Sequence, residues 1–70
     1  MTQSIEPALT IIRRKQVEAR TGLSRSTIYN RVSEGTFPAP VNLGVRAVGW
    51  IEGEISAWLA DRITASRKAA

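Results

Sequence analysis

Residues 17–32 read VEARTGLSRSTIYNRV, and the fold turns on how this stretch is understood. Val17, Glu18, Ala19 and Arg20 suit a helix, and Gly22 supplies a residue that turns the chain with positive φ. Leu23 then re-enters the core. Ser24 stands where its oxygen accepts an orphan backbone N–H one turn into a second helix. Ile28 and Val32, four residues apart, stack on one face of that helix. With this face inward, Ser26, Asn30 and Ser33 point away, Thr27 and Tyr29 lie on the flanks, and Arg25 opens the outward strip. No acid stands at its centre. Two helices joined by a short Gly-containing turn make the helix-turn-helix pattern, whose second helix enters the DNA major groove. An ordinary helical hairpin with a solvated polar face has the same pattern, so the rest of the chain must decide.

Seventy residues make one small domain, marginal in stability unless well packed or bound. The absence of Cys and His excludes disulfides, Cys/His zinc sites and His-based acid–base chemistry, and it fits a reducing cytosol. Ten Lys and Arg against six Asp and Glu give a formal net charge of +4, which suits a polyanionic partner. No apolar run approaches the roughly 20 residues that cross a bilayer, and the N-terminus lacks the layout of a signal peptide. The expected location is cytoplasmic, with no membrane partner.

Working outward, residues 1–8 are polar, carry Pro7 and are expected to form a flexible lead. Residues 9–12, LTII, form a short apolar run that suits an extended segment against the core. Arg13, Arg14 and Lys15 follow, and three consecutive cations favour phosphate or plain solvent over burial. The first helix is expected from Arg14 or Lys15 to Thr21, and the second from about Arg25 to Glu34 with Gly35 just past its end. The two prolines of TFPAP, residues 36–40, exclude helix, and Phe37 is the natural plug beneath the helix pair. Val41-Asn42-Leu43 alternates like a half-buried strand, and Val48-Gly49-Trp50 returns as a second. The hairpin so formed carries Arg46 near its tip. A hairpin after a helix-turn-helix is a wing, whose basic tip follows phosphates or the minor groove; the plain alternative is a solvated turn residue.

Glu52 and Glu54 suit the first turn of a last helix, although Gly53 between them is a weak start. Ile55, Trp58, Leu59 and Ile63 form one apolar stripe along it. Trp50 and Trp58 are expected in the core, with stacking on a base as the sharper alternative. Arg62, Arg67 and Lys68 gather toward the helix's negative pole, and residues 65–70 are expected to fray. The folded domain is therefore expected over residues 9–64.

No catalytic set is present. The acids Glu6, Glu18, Glu34, Glu52, Glu54 and Asp61 are scattered, the hydroxyls have no general base, and no Gly-rich phosphate loop follows a strand. The chain is not expected to be an enzyme or to need a cofactor or metal. A binding surface remains. Arg25 can take a guanine edge or a phosphate, and Asn30 can pair with adenine. Ser26 and Thr27 are short enough to approach bases or phosphates closely. Tyr29 suits a backbone phosphate, and the charge of Arg31 should emerge at the edge toward phosphate or solvent. Arg13, Arg14, Lys15 and Arg46 complete the expected phosphate and wing contacts.

TGLSRSTIYNRVSEGTFPAPVNLG over residues 21–44, RAVGW over residues 46–50 and EISAWL over residues 54–59 together resemble the AlpA family of small prophage-encoded regulators. That family joins a Thr-Gly-Leu-Ser-Arg-Ser-Thr-Ile-Tyr run to a Gly-x-Phe-Pro-x-Pro strand entry and a Trp followed by Glu-Ile/Val-x-x-Trp. The likeness covers about residues 9–62. It implies a mainly α fold with a small β-hairpin, a winged helix-turn-helix related to MerR-type domains and phage excisionases. It also implies that the helix at about residues 24–34 reads the major groove and that residues 44–47 form the wing on backbone or minor groove. Two positions depart from the pattern: Asn30 stands where Arg or Lys is frequent, and Gly53 where Ser, Asp or Glu often starts the helix.

The expected function is a sequence-specific, DNA-binding transcriptional regulator of phage or prophage type. The alternative is an excisionase that bends attachment-site DNA for an integrase. A third is a protein-interaction module, distinguished by lacking the steep salt dependence of phosphate contacts. The expected partner is double-stranded DNA. Self-association or cooperative assembly on DNA, an integrase and RNA polymerase are further candidates, since one small domain contacts few base pairs.

Overall fold

The computed structural model describes residues 9–69. Within them the chain runs β1 (Ile11–Ile12), α1 (Arg14–Thr21), α2 (Arg25–Glu34), β2 (Val41–Gly44), β3 (Ala47–Ile51) and α3 (Glu52–Ala69). The lead expected over residues 1–8 lies outside the described residues. The architecture is mainly helical, with a small antiparallel sheet of strand order β1-β3-β2.

Local chemistry accounts for the ends of the first two helices. Gly22 follows α1 at φ 74° and Gly35 follows α2 at φ 81°, a region costly for residues with a Cβ. The Gly22 N–H donates to Glu18 O at 2.8 Å and the Gly35 N–H to Val32 O at 3.1 Å, so both helices close cleanly. Ser24 caps α2, its Oγ accepting the Thr27 N–H at 3.2 Å.

The sheet holds one strand more than the expected hairpin. β1 pairs with β3 in the register Ile11↔Ile51 and Ile12↔Trp50, and the Glu52 N–H extends the ladder to Thr10 O. β3 is thus the central strand. Its Gly49 leaves room for neighbours: a Cβ there would collide with Ile11 Cγ2 and press on Leu43 Cδ1 at 3.1 Å.

The core takes one buried hydrophobic side chain from almost every element. Ile12 comes from β1, Val17 from α1, Ile28 from α2, Phe37 from the connection to β2, Trp50 from β3 and Ile55 from α3. Leu23, Val32, Val48, Trp58 and Leu59 pack around them. Both tryptophans pin the proline-containing connection. Trp50 Nε1–H donates to Pro38 O at 2.9 Å, and Trp58 Nε1–H donates to Thr36 O at 2.8 Å. Phe37 meets the Trp58 ring edge-on at a centroid distance of 4.7 Å. Trp50 is completely buried, whereas Trp58 is only half-buried at the margin.

The apolar stripe of α3 is shorter in use than in sequence. Ile55, Trp58 and Leu59 meet the core, but Ile63 is 50% exposed and every residue from 60 to 68 is exposed. Periodicity reports which residues share a face; it does not report how far the body beneath extends. The helix nonetheless continues through residues 65–69 instead of ending near residue 64. Ala, Arg and Lys are strong helix formers, and Arg67 and Lys68 complement the C-terminal pole. Arg20 ties α1 to α3 through Glu52 at 3.7 Å and Ser56 Oγ at 3.2 Å. The groups are exposed enough that this link contributes little.

Trp50→Ala should cost about 3–5 kcal/mol, enough to unfold a domain of this size. Trp58→Phe keeps a ring but loses the bond to Thr36 O, and should cost about 1 kcal/mol. Urea denaturation followed by circular dichroism separates the two. Equal losses would mean that the Trp58 bond stabilises the fold as much as burial of Trp50 does.

Candidate nucleic-acid interface

The Ile12↔Trp50 pair brings the start of α1 beside the central strand, and the site follows from that placement. Arg13 comes next in the chain. Its Nε–H donates to Val48 O on β3 at 3.0 Å, and its backbone N–H donates to Gln16 Oε1 at 2.9 Å, closing the first turn of α1. One residue thereby ties helix start and hairpin together. Around it lies an open cleft of about 380 Å³ lined by Arg13, Arg14, Lys15, Tyr29, Arg46 and Val48. Four of these six are cations, drawn from the start of α1 and from the β2–β3 turn. The first turn of α1 holds no acid, so the positive pole of the helix adds to the same field. Glu18 offsets part of it through an i,i+4 ion pair with Arg14.

The hairpin tip is tight. Pairing passes from Asn42↔Val48 to Gly44↔Ala47, which leaves Leu43 as an extra residue in β2 and Val45-Arg46 as the turn. Asn42 Oδ1 accepts the Gly44 N–H at 3.0 Å and braces the entry to the turn.

On α2, Arg25, Ser26 and Asn30 are exposed along the outward strip. Tyr29 is 38% exposed and leans toward the core, its ring centroid 6.1 Å from that of Trp50. Its place in the cleft is thus set by packing beneath it. Thr27 is half-buried, and its hydroxyl lies 3.0 Å from Ser24 Oγ, so it also serves the cap. Arg31 is half-buried, with Nε shielded and unpartnered, and it does not line the cleft. The structure therefore gathers Arg13, Arg14, Lys15, Tyr29 and Arg46 in one cleft, sets Arg25, Ser26 and Asn30 on an adjoining strip, and leaves Thr27 and Arg31 apart.

Three contributors escape a reading of the sequence. Val48 lines the cleft and its backbone carbonyl accepts from Arg13, a role that carries no side-chain signal. Asn42 braces the turn by a local bond. Glu18 was findable, because its spacing from Arg14 is that of a helical ion pair. Chemically, the arrangement offers several cations and a phenol to an extended anion. Among the described residues no group of His, Cys, Asp or Glu is placed to hold a metal ion, and no helix is long and apolar enough to cross a membrane.

Comparison with known proteins is consistent in kind. A family model described as prophage CP4-57 regulatory protein (AlpA) matches residues 10–63. The protein ORF88 of Enterobacteria phage P4 is 47% identical over 47 residues, covering 67% of this chain and 53% of its own length. The DNA-binding transcriptional activator AlpA of Escherichia coli (strain K12) is 43% identical over 61 residues, covering 79% of this chain and 87% of its own. The chain thus spans about half the phage P4 protein and most of the Escherichia coli one.

Arg13→Lys keeps the charge but removes the Nε–H that holds Val48 O. The hairpin should loosen at a cost of about 1 kcal/mol. Faster amide exchange at Val45, Arg46 and Ala47, with little change at α2, is the expected result. Unchanged exchange at the turn would show that Arg13 does not hold it.

Proposed function

The chain belongs to the AlpA family of prophage regulatory proteins, and from that membership we propose that it is a sequence-specific, double-stranded-DNA-binding transcriptional regulator built as a winged helix-turn-helix of the MerR-like and excisionase-like kind. The observation that carries this reading is where the cationic cleft lies. A strand of B-DNA separates the major groove from the minor groove. A protein with a helix in one groove and a hairpin in the other must receive that strand between them. The cleft is lined by Tyr29 of α2, by Arg46 of the turn between β2 and β3, and by Arg13, Arg14 and Lys15 around the start of α1. Such an arrangement suits the intervening phosphates.

In this reading residues 24–34 enter the major groove and residues 44–47 form the wing. Arg25 and Asn30 take base edges, bidentate to guanine and adenine respectively, while Ser26 approaches closely beside them. Thr27, with its hydroxyl beside the cap, serves nearer the backbone. Arg31 contributes charge at the edge rather than a contact in the cleft. The name of the Escherichia coli relative, a DNA-binding transcriptional activator, supports the same assignment. Residues 9–64 are the binding unit, and one such unit covers few base pairs, so adjacent copies on DNA supply useful specificity.

A nuclease-protection footprint at two salt concentrations, over the gene's own upstream region and the nearest integrase attachment site, tests the reading. Protection of a promoter, weakening steeply with salt, supports a transcriptional regulator. Phased protection of an attachment arm with enhanced cuts would move the role to recombination. No protection at low salt would remove DNA as the partner.

Asn30→Ala should cost about 1–3 kcal/mol on the specific site and nothing on random DNA. Equal weakening on both would show that Asn30 reads no base. Arg46→Ala should weaken both DNAs alike and reduce the salt slope by about 0.9, the share of one phosphate. Glu18→Gln should act in the opposite sense, releasing Arg14 and strengthening binding at low salt. Binding titrations across a salt series check both slopes.

A further inference from the structure

Val45 is 99% exposed, at the very tip of the hairpin. The other strongly exposed apolar side chains among the described residues have structural surroundings that account for them or lie toward the chain's edges. Ile11 and Leu43 close over Gly49, Ile63 continues the stripe of α3, and Leu9, two residues before β1, is 63% exposed against 99% for Val45. Val45 covers nothing. Nor does the turn require it: turn positions favour Gly, Asn, Asp or Ser, and β-branched residues suit strands instead. Among the described residues only Gly22 and Gly35 have positive φ, so a side chain at Val45 is tolerated but not demanded. The tip is also held, by Asn42 Oδ1 on the Gly44 N–H and by Arg13 Nε–H on Val48 O. A rigid mount thus presents a small branched hydrocarbon beside the cation of Arg46.

We infer that Val45 is a specificity-determining residue that packs against the deoxyribose walls and floor of the minor groove and selects A·T pairs there. This inference rests on the DNA-binding reading above. If the strand between the grooves lies in the cleft, the turn beyond Arg46 meets the minor groove. Sugar C–H groups line its walls, and guanine alone raises an amino group from its floor. A branched apolar tip fits over A·T pairs and is obstructed by the guanine N2 group, which it cannot hydrogen-bond. Val45 therefore reads by shape, while Arg46 beside it supplies charge.

The test begins with parallel selection of binding sites from a random duplex library by the wild-type chain and by Val45→Ser. An exposed tip residue can be changed without loss of the core, which circular dichroism verifies. The wild type should select a central motif flanked on the wing side by A·T pairs. The variant should keep the motif and lose the flanking preference. On the selected site, replacing those A·T pairs by G·C should weaken wild-type binding about five- to tenfold, the low end for one unfavourable pair. Inosine·cytosine, which lacks the amino group in the minor groove, should restore it. Val45→Ser should bind all three duplexes within about twofold of one another. A variant that keeps the flanking preference, or inosine that fails to restore binding, overturns the role of Val45 and leaves the DNA-binding reading intact. Failure of the wild type to select any sequence overturns both.

Discussion

The structure depends on the burial of Trp50. Its ring is completely covered and packs near Tyr29 of α2, its backbone pairs with Ile12 of β1, and its indole N–H reaches Pro38 in the connection. One residue, through its ring, its indole N–H and its backbone, therefore fixes three separate parts of the chain against β3. Burying an aromatic of this size contributes a few kcal/mol, and its single polar group is satisfied, so none of that is lost to an orphan donor. Trp58 does related work at the margin, where it fixes Phe37 and Thr36.

The cleft is a by-product of the same packing. β1 is only two residues long, yet its pairing with β3 brings Arg13, itself exposed, within hydrogen-bonding reach of Val48 O. Like charges gathered in this way repel, and the chain limits the cost by pairing Arg14 with Glu18 and giving Arg13 a carbonyl. Lys15 and Arg46 stay exposed and face the same space.

Much of this was legible in the sequence where the determining chemistry is local. Gly22, Ser24 and Gly35 mark the ends of α1 and α2 because a positive φ and a cap oxygen are properties of single residues. The pairing of β1 with β3 was not legible, since a two-residue strand has no period and its partner lies most of the chain away. The run Arg13-Arg14-Lys15 reads as three equivalent cations, yet the first braces the hairpin, the second meets Glu18 and the third stands free of both. Thr27 and Arg31 likewise differ from Ser26 and Asn30 through neighbours that helical spacing alone does not specify. The far end of α3 teaches the same lesson, because Ile63 continues the apolar stripe beyond the body it would cover.

The core draws a single buried hydrophobic side chain from each of β1, α1, α2, the connection, β3 and α3. A small single domain of this kind opens largely as one unit, so a minor fraction of copies is unfolded at any time. In a cell, proteolysis acts on that open population. A ligand that engages α1, α2 and the hairpin together withdraws molecules from it, by an amount set by occupancy. Copies without a ligand are then the ones removed first. Under the proposed DNA-binding function, the abundance of this protein would track the number of sites it occupies as well as the rate at which it is made.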